Sequence, residues 1–424
     1  MKFSDGVKHM LKSDSISQRC TYQNESLRCD LQRAWLTACL FSLLFIMGGF
    51  SWLYFLWQPR SALQWMLQSA IINAYMLWLL WTGLGKNRLR QNEVLHNTFG
   101  IANWLTIGRG FLIAALGGFL FQEPPGSAAG TRWLIWAPGA IYIIAALMDY
   151  LDGYLARAMR SETQLGEWLD TKIDALGLLV APILAIGHDR LPFYYISVSL
   201  AYYIFQFGLW HRKKKNLPVT DIKPHPAKRM IAGFQMGLVA VALLPIFPRP
   251  ALTIAATIFM IPLLAGFFKD ALEIGGYSKL AHLRQARWDR GIDFGSTQRG
   301  PVFLRLIISA TVFFVTCDAA VAFAAGKQSV TVATLDASMP LGIPALPILA
   351  AAGLMIALGF LARSMALLMS IMVSGALTAW NSPFSLFVLL TCALILMLTG
   401  SGMRSLWQPE NKLLLERHGQ GRLL

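Results

Sequence analysis

Residues 149–174 read DYLDGYLARAMRSETQLGEWLDTKID, which places four aspartates in a chain that is otherwise rich in apolar segments. Asp149 and Asp152 are three residues apart, and Asp170 and Asp174 are four apart, so each pair lies on one face of a predicted helix. A carboxylate at the edge of a bilayer is costly, and several that converge indicate a functional site. The alternative is four solvated acids in a loop, but loop acids rarely repeat at helical spacing on two successive helices.

Two acidic faces joined by a short polar turn are typical of a site for a hard cation. Mg²⁺ and Mn²⁺ prefer several oxygen ligands and often share them with substrate phosphates. Gly153 and Gly166 leave room for a bulky ligand to approach the backbone. Arg157, one turn after Gly153, suits bidentate pairing with a phosphate. The residues therefore predict a divalent-cation site that takes a phosphorylated substrate.

The pattern D-x2-D-G-x2-A-R-x8-G-x3-D-x3-D resembles the signature of the CDP-alcohol phosphotransferases, integral membrane enzymes of phospholipid synthesis. The segment from Asn103 to Arg109 is similar to the one that opens the first helix of these enzymes. The resemblance covers residues 85–270. The matched signature positions are Asp149, Asp152, Gly153, Ala156, Arg157, Gly166, Asp170 and Asp174.

This resemblance implies a reaction in which the hydroxyl of an acceptor alcohol attacks the β-phosphorus of a CDP-alcohol and CMP leaves. It also implies two divalent ions, Mg²⁺ or Mn²⁺, held by Asp149, Asp152, Asp170 and Asp174. Asp174 is in addition the expected general base. CDP-diacylglycerol is the expected donor, because its acyl chains can stay in lipid while the site takes the nucleotide. The residues expected around the nucleotide are Gly153, Ala156, Arg157, Gly166, Thr106 and Arg109.

Basic residues offer candidates for the acceptor subsite. Lys228 and Arg229 are expected to hold the phosphate of a phosphorylated acceptor, and the alternative is that they are charges that set the membrane topology. Arg109 has a comparable alternative, an arginine that packs between helices or reaches toward the membrane surface.

The composition predicts a polytopic membrane protein. Hydrophobic residues make up 55% of the 424 and charged residues 14%, against about 25% charged in soluble domains. We expect an all-α bundle of about twelve transmembrane helices, six of them in the catalytic module. The apolar stretches that predict them are 34–57, 62–83, 100–121, 133–157, 172–188, 193–210, 230–247, 250–268, 302–325, 342–361, 364–380 and 384–400.

Charge gives the orientation. If both termini are cytoplasmic, 30 of the 37 Lys and Arg residues fall on the cytoplasmic side and five on the other, as expected for the inner membrane of a prokaryote. The same orientation puts the aspartates at the cytoplasmic face. The net charge of +15 then fits an anionic leaflet and phosphorylated substrates, and it requires no nucleic-acid partner. The resemblance adds a homodimer as a candidate assembly.

Four parts are predicted along the chain. Residues 1–84 hold a cytoplasmic tail and two accessory helices, and residues 85–270 the catalytic module, opened by a basic juxtamembrane helix at Lys86 to His96. Residues 271–300 form a cytoplasmic linker. Residues 301–424 form a four-helix unit with a weak resemblance to the DoxX-like membrane family.

Other functions stay open at this stage. In one alternative, the chain uses a different CDP-alcohol as the donor, such as a CDP-amino-alcohol. In another the chain is a transporter with many spans, although transporter sites usually lie near the middle of the membrane between repeats. A scaffold that keeps the fold without activity is the third, and such a protein is expected to have lost at least one of the aspartates.

Overall fold

The computed structural model describes twelve helices joined by turns and short connections, with no extended strand among the described residues. The helices are α1 (Phe3–Leu56), α2 (Pro59–Gly83), α3 (Ile101–Gly117), α4 (Ala137–Ala158), α5 (Gln164–Gly187), α6 (Ile196–Lys214), α7 (Pro226–Ala242), α8 (Arg249–Ile274), α9 (Gly300–Ala324), α10 (Ala345–Leu358), α11 (Ala362–Ala376) and α12 (Phe384–Thr399). The described residues are 3–88, 96–124, 132–159, 162–217, 226–275, 300–326, 336, 344–377, 384–400, 402 and 405.

The all-helical class is confirmed, and each predicted apolar stretch overlaps one described helix, although the ends differ. Four of these helices are long and apolar enough to cross a bilayer, at Cys29–Leu56, Trp133–Ala156, Arg249–Leu272 and Pro301–Ala322. Several others are apolar but have only 10–17 residues, against the roughly 20 that a perpendicular crossing needs. The count of twelve crossings therefore stays a prediction.

Contacts divide the chain into two compact units, residues 1–131 with 141–177, and residues 132–140 with 178–424. The first unit contains α1, α2 and α3, most of α4 and the first half of α5. The second contains the rest of α5 and all later helices. The four-part division predicted from the sequence stays a prediction.

In the first unit α2 packs against both α1 and α3. Two buried side chains of α2 bond to the backbone of α3: Trp65 Nε1 donates to Ala115 O at 2.9 Å and Ser69 Oγ donates to Ala114 O at 3.0 Å. A donor buried in an apolar setting costs free energy unless it is paired. These bonds therefore fix α2 on the C-terminal half of α3.

In the second unit α6 and α7 pack on α8, and α9 to α12 form a group whose member α11 also lies against α8. Helix α10 ends in a Schellman turn, because Gly359 has φ +70° and the amides of Gly359 and Phe360 bond to Ile356 O and Met355 O. Arg305 of α9 donates to Ile356 O at 2.9 Å. The last turn of α10 is thereby held to α9.

Candidate active site

Helix α4 supplies the first pair of acids. Asp149 and Asp152 lie one turn apart near its C-terminal end, and both are buried. A buried carboxylate needs hydrogen-bond donors or a counter-charge. Both acids obtain them from α3, a helix that begins about 50 residues earlier in the chain.

Helix α5 supplies the second pair. Asp170 and Asp174 lie on its first three turns, and their side chains are half-exposed. The helix begins directly after Thr163, whose hydroxyl accepts a hydrogen bond of 3.0 Å from the amide of Gly166. Thr163 is therefore the N-cap that fixes where α5 starts.

Helix α3 carries the groups that bind these acids. Thr106 Oγ1 lies 2.9 Å from Asp152 Oδ2 and donates a hydrogen bond to it. Arg109 extends between the two acidic helices and is almost completely buried. The hydroxyl and the guanidinium lie one turn apart on α3, so one face of this helix meets the carboxylates of α4.

The Arg109 guanidinium contacts all four aspartates. Its Nη1 donates to Asp149 Oδ1 and lies 4.0 Å from Asp152 Oδ2. Its Nη2 lies 2.7 Å from Asp170 Oδ1 and 3.1 Å from Asp174 Oδ1. The two acidic faces therefore lie close together, and Arg109 lies between them.

The carboxylate oxygens of this cluster fit a divalent metal ion. One carboxylate oxygen each from Asp149, Asp170 and Asp174 lies within 4.8 Å of the other two. Oxygens that share one Mg²⁺ ion at about 2.1 Å are themselves roughly 3–4 Å apart, so these three would have to move slightly closer together to bind one ion. One guanidinium also leaves a formal excess of negative charge among four carboxylates, and a divalent ion would offset most of it.

The structure describes the side chains of some of the other predicted residues but not of all of them. Gly153 and Ala156 lie on α4 and are half-buried. Arg157 lies on the same helix, and Lys228 and Arg229 lie in the first turn of α7, but these three side chains are outside the described residues. The predicted juxtamembrane helix also lies partly outside them: Leu84–Lys86 form a 3-10 turn, and 89–95 are not described.

Gly166 makes a contact that the sequence did not predict. A Cβ atom at this position would lie 2.6 Å from Asn103 Oδ1 and 3.2 Å from Thr163 Oγ1. A side chain at this position would displace the Asn103 amide, so α3 approaches α5 closely at this point through Asn103. The sequence marks Asn103 only as the first residue of the segment that resembles the family's first helix, and it does not single out Thr163, a polar residue near a predicted helix start. The cap spacing Thr163-x-x-Gly166 was the one available signal.

Comparison with known proteins gives the family of this part of the chain. Residues 99–267 match the family model described as CDP-alcohol phosphatidyltransferase. A CDP-diacylglycerol–glycerol-3-phosphate 3-phosphatidyltransferase of Cereibacter sphaeroides is 32% identical over 117 residues, which are 26% of this chain and 49% of the relative. A putative cardiolipin synthase of Mycobacterium bovis is 28% identical over 159 residues, 37% of this chain and 68% of the relative.

The chain thus spans about half the length of the first relative and about two thirds of the second. A cardiolipin synthase (CMP-forming) of Oryza sativa subsp. japonica is 38% identical over a shorter stretch of 72 residues, 17% of this chain and 20% of the relative. No solved structure matches the chain. The resemblance read from the aspartate pattern is confirmed, and the chain carries a CDP-alcohol phosphatidyltransferase domain over residues 99–267.

Proposed function

We propose that this chain transfers a phosphatidyl group from CDP-diacylglycerol to an alcohol and releases CMP, as a step of phospholipid synthesis. The observation that carries the proposal is the convergence of four aspartates from α4 and α5 around the buried Arg109, inside the residues that match the family model. Relatives named for phosphatidyl transfer to glycerol 3-phosphate and for CMP-forming cardiolipin synthesis support the same class of reaction.

In the proposed step, the acceptor oxygen forms a bond to the β-phosphorus of the donor as the bond from that phosphorus to the CMP oxygen breaks. The hydroxyl proton passes to a carboxylate, and CMP leaves with the bonding electron pair. Divalent ions bound by Asp149, Asp170 and Asp174 would supply the positive charge that stabilises the diphosphate and the leaving group. Asp152, which accepts a hydrogen bond from Thr106, would complete the ligand set.

Asp174 is the proposed proton acceptor. Side-chain exposure rises from 6% at Asp152 and 13% at Asp149 to 26% at Asp170 and 36% at Asp174. A general base must come within hydrogen-bond reach of the acceptor hydroxyl. The most exposed of the four carboxylates meets that requirement best, which supports the role that the resemblance implies for it.

The membrane setting is also proposed. The Lys and Arg distribution supports twelve crossings, cytoplasmic termini and an active site at the cytoplasmic face, where anionic acceptors are available. Lys228 and Arg229, at the start of α7, remain proposed ligands for an acceptor phosphate. The nucleotide is proposed to lie along α4 at Gly153, Ala156 and Arg157. Thr106 and Arg109 are the proposed contacts from α3.

The test is CMP release by the purified full chain in lipid nanodiscs that contain CDP-diacylglycerol. Acceptors are supplied one at a time: glycerol 3-phosphate, inositol, inositol 3-phosphate, serine and phosphatidylglycerol. We expect release that requires one acceptor and Mg²⁺ or Mn²⁺, and that EDTA abolishes. Folded wild-type protein that releases no CMP with any acceptor contradicts the proposal and favours a different CDP-alcohol donor, a transporter or a scaffold.

A further inference from the structure

A buried cluster of three polar side chains lies where α3, α5 and the segment after α2 meet. Asn103 Nδ2 lies 3.1 Å from Thr163 Oγ1 and 3.3 Å from Asn87 Oδ1, and Thr163 Oγ1 lies 3.1 Å from Asn103 Oδ1. All three residues are buried. We infer that Asn103 is a positioning residue, which acts through this polar cluster to hold the start of α5 and so to place Asp170 and Asp174.

The cap of α5 depends on the Thr163 hydroxyl. The Thr163 hydroxyl accepts from the amide of Gly166, one of the amides at a helix start that have no partner within the helix. Asn103 bonds to this same hydroxyl and thereby fixes its orientation. The preceding backbone is fixed as well, because the amide of Gln164 donates to Arg88 O at 2.9 Å.

Asn103 also approaches α5 closely at Gly166. The 2.6 Å that would separate its Cβ from Asn103 Oδ1 is shorter than any normal contact. The resemblance assigns Gly166 to the nucleotide pocket, but in this chain its missing side chain also makes room for Asn103. A glycine at this position of α5 therefore lets the Asn103 amide reach the cap.

The end of α2 and the residues that follow it also contact the first turn of α5. Lys86 Nζ lies 4.2 Å from the centroid of the Trp168 ring, a cation–π contact. A Cβ on Gly83 would lie 2.7 Å from Leu165 Cδ1 and 2.8 Å from Trp168 Cζ3. The first turn of α5 is thus packed against the end of α2 and bonded to α3.

The consequence for the site follows from the stiffness of helices. Asp170 and Asp174 come seven and eleven residues after Thr163, about two and three turns along α5. Arg109 comes six residues after Asn103 on α3. Helices α3 and α5 are therefore joined at two points. Asn103 bonds to Thr163 at the start of α5, and Arg109 bonds to Asp170 about two turns further along it. Loss of the first connection lets α5 shift or rotate against α4, and metal and catalytic sites tolerate only about 0.5 Å of such displacement.

The experiment compares Asn103→Ala with the wild type by two readouts, Mn²⁺ binding followed through the EPR signal of the free ion, and the Mn²⁺ dependence of CMP release. We expect the dissociation constant and the half-saturating concentration to rise by about tenfold or more, the size typical of residues that orient metal ligands. Asn73→Ala is the matched control, because Asn73 is a buried asparagine of α2 whose amide bonds to Ser69 O. It is expected to lower the Tm without changing Mn²⁺ affinity.

A second pair of variants tests the same cluster in case Asn103→Ala does not fold. Thr163→Ser keeps the capping hydroxyl and is expected to bind Mn²⁺ like the wild type, whereas the isosteric Thr163→Val is expected to bind more weakly. If Asn103→Ala and Thr163→Val lower the Tm but leave Mn²⁺ affinity unchanged, the cluster is only structural and the inference is wrong.

A double-variant cycle separates packing from ligand binding at Gly166. Gly166→Ala is expected to impair Mn²⁺ binding in the wild type and to have little further effect in Asn103→Ala, because the obstructing amide is then absent. If Gly166→Ala instead raises the KM for CDP-diacylglycerol by the same factor in both backgrounds, the glycine serves the donor pocket and the packing role is overturned.

This inference rests on the proposed function only for the activity readout. Absence of CMP release from the wild type would contradict the proposed function, while Mn²⁺ binding and Tm of the same variants would still decide the role of Asn103.

Discussion

Arg109 Nη2 lies 2.7 Å from Asp170 Oδ1, so a cation of α3 is bonded directly to a proposed metal ligand of α5. The same guanidinium also contacts both acids of α4. Its side chain is 2% exposed, so the guanidinium is enclosed between helices. Arg109 therefore supplies the positive charge that lets four carboxylates approach one another when no metal ion is bound.

The first prediction concerns this charge. Replacing Arg109 by Met is expected to destabilise the metal-free protein strongly, by about 3–5 kcal/mol, because buried carboxylates lose their counter-charge. Mn²⁺ is expected to raise the Tm of the variant more than that of the wild type, since the ions restore the missing positive charge. The measurement is the Tm in EDTA and in Mn²⁺. Equal Tm values for variant and wild type in EDTA would contradict this role.

The second prediction concerns Thr106, where a substitution can remove one hydrogen bond without changing the shape of the side chain. Thr106→Val keeps the shape of the side chain but removes the hydrogen bond to Asp152 Oδ2. Leaving that buried acceptor without its donor is expected to cost about 1–3 kcal/mol, measured by thermal or denaturant unfolding in the absence of metal. Thr106→Ser retains the hydroxyl and serves as the control. The prediction is wrong if Val and Ser behave alike.

The proposed base gives the third prediction. Asp174→Asn is expected to lower kcat for CMP release by about 10²–10⁴-fold, the range attributed to a general base, because an amide cannot take the acceptor proton. Glu167→Gln is the matched control, since Glu167 is an exposed acid on the same helix. It is expected to retain near wild-type turnover. An Asp174→Asn variant that remains folded and active would remove Asp174 from the mechanism.

Helical spacing was enough to predict which aspartates share a face, because two acids three or four residues apart must project together. It did not predict the position of Arg109, since α3 precedes the acids by some 40 residues and only folding brings the guanidinium between them. The role of Asn103 was missed for the same reason. The amide bonds to a cap 60 residues away, and nothing in the local sequence predicts that partner.

Some helices end or begin at other residues than the predicted apolar stretches do, because features other than hydropathy set the ends of a helix. Within the stretch predicted at 342–361 the described helix ends at Leu358, because Gly359 turns the chain into the left-handed region. Helix α1 shows the opposite case. It begins at Phe3 rather than at residue 34, because hydropathy marks the part of a helix suited to lipid and does not register a polar extension.

The last prediction tests the end of α10 with two glycines of similar backbone conformation. Gly359 has φ +70° and a Cβ there would lie 2.7 Å from Ser405 Cβ, whereas Gly326 has φ +66° and a Cβ there would have no atom of the described residues within 4 Å. Gly326→Ala is expected to cost only the left-handed backbone penalty, about 1–2 kcal/mol. Gly359→Ala is expected to cost more, because the added methyl group must displace Ser405 from the last turn of α10. Tm values of both variants under the same conditions measure the difference, and equal losses would show that Ser405 yields without cost.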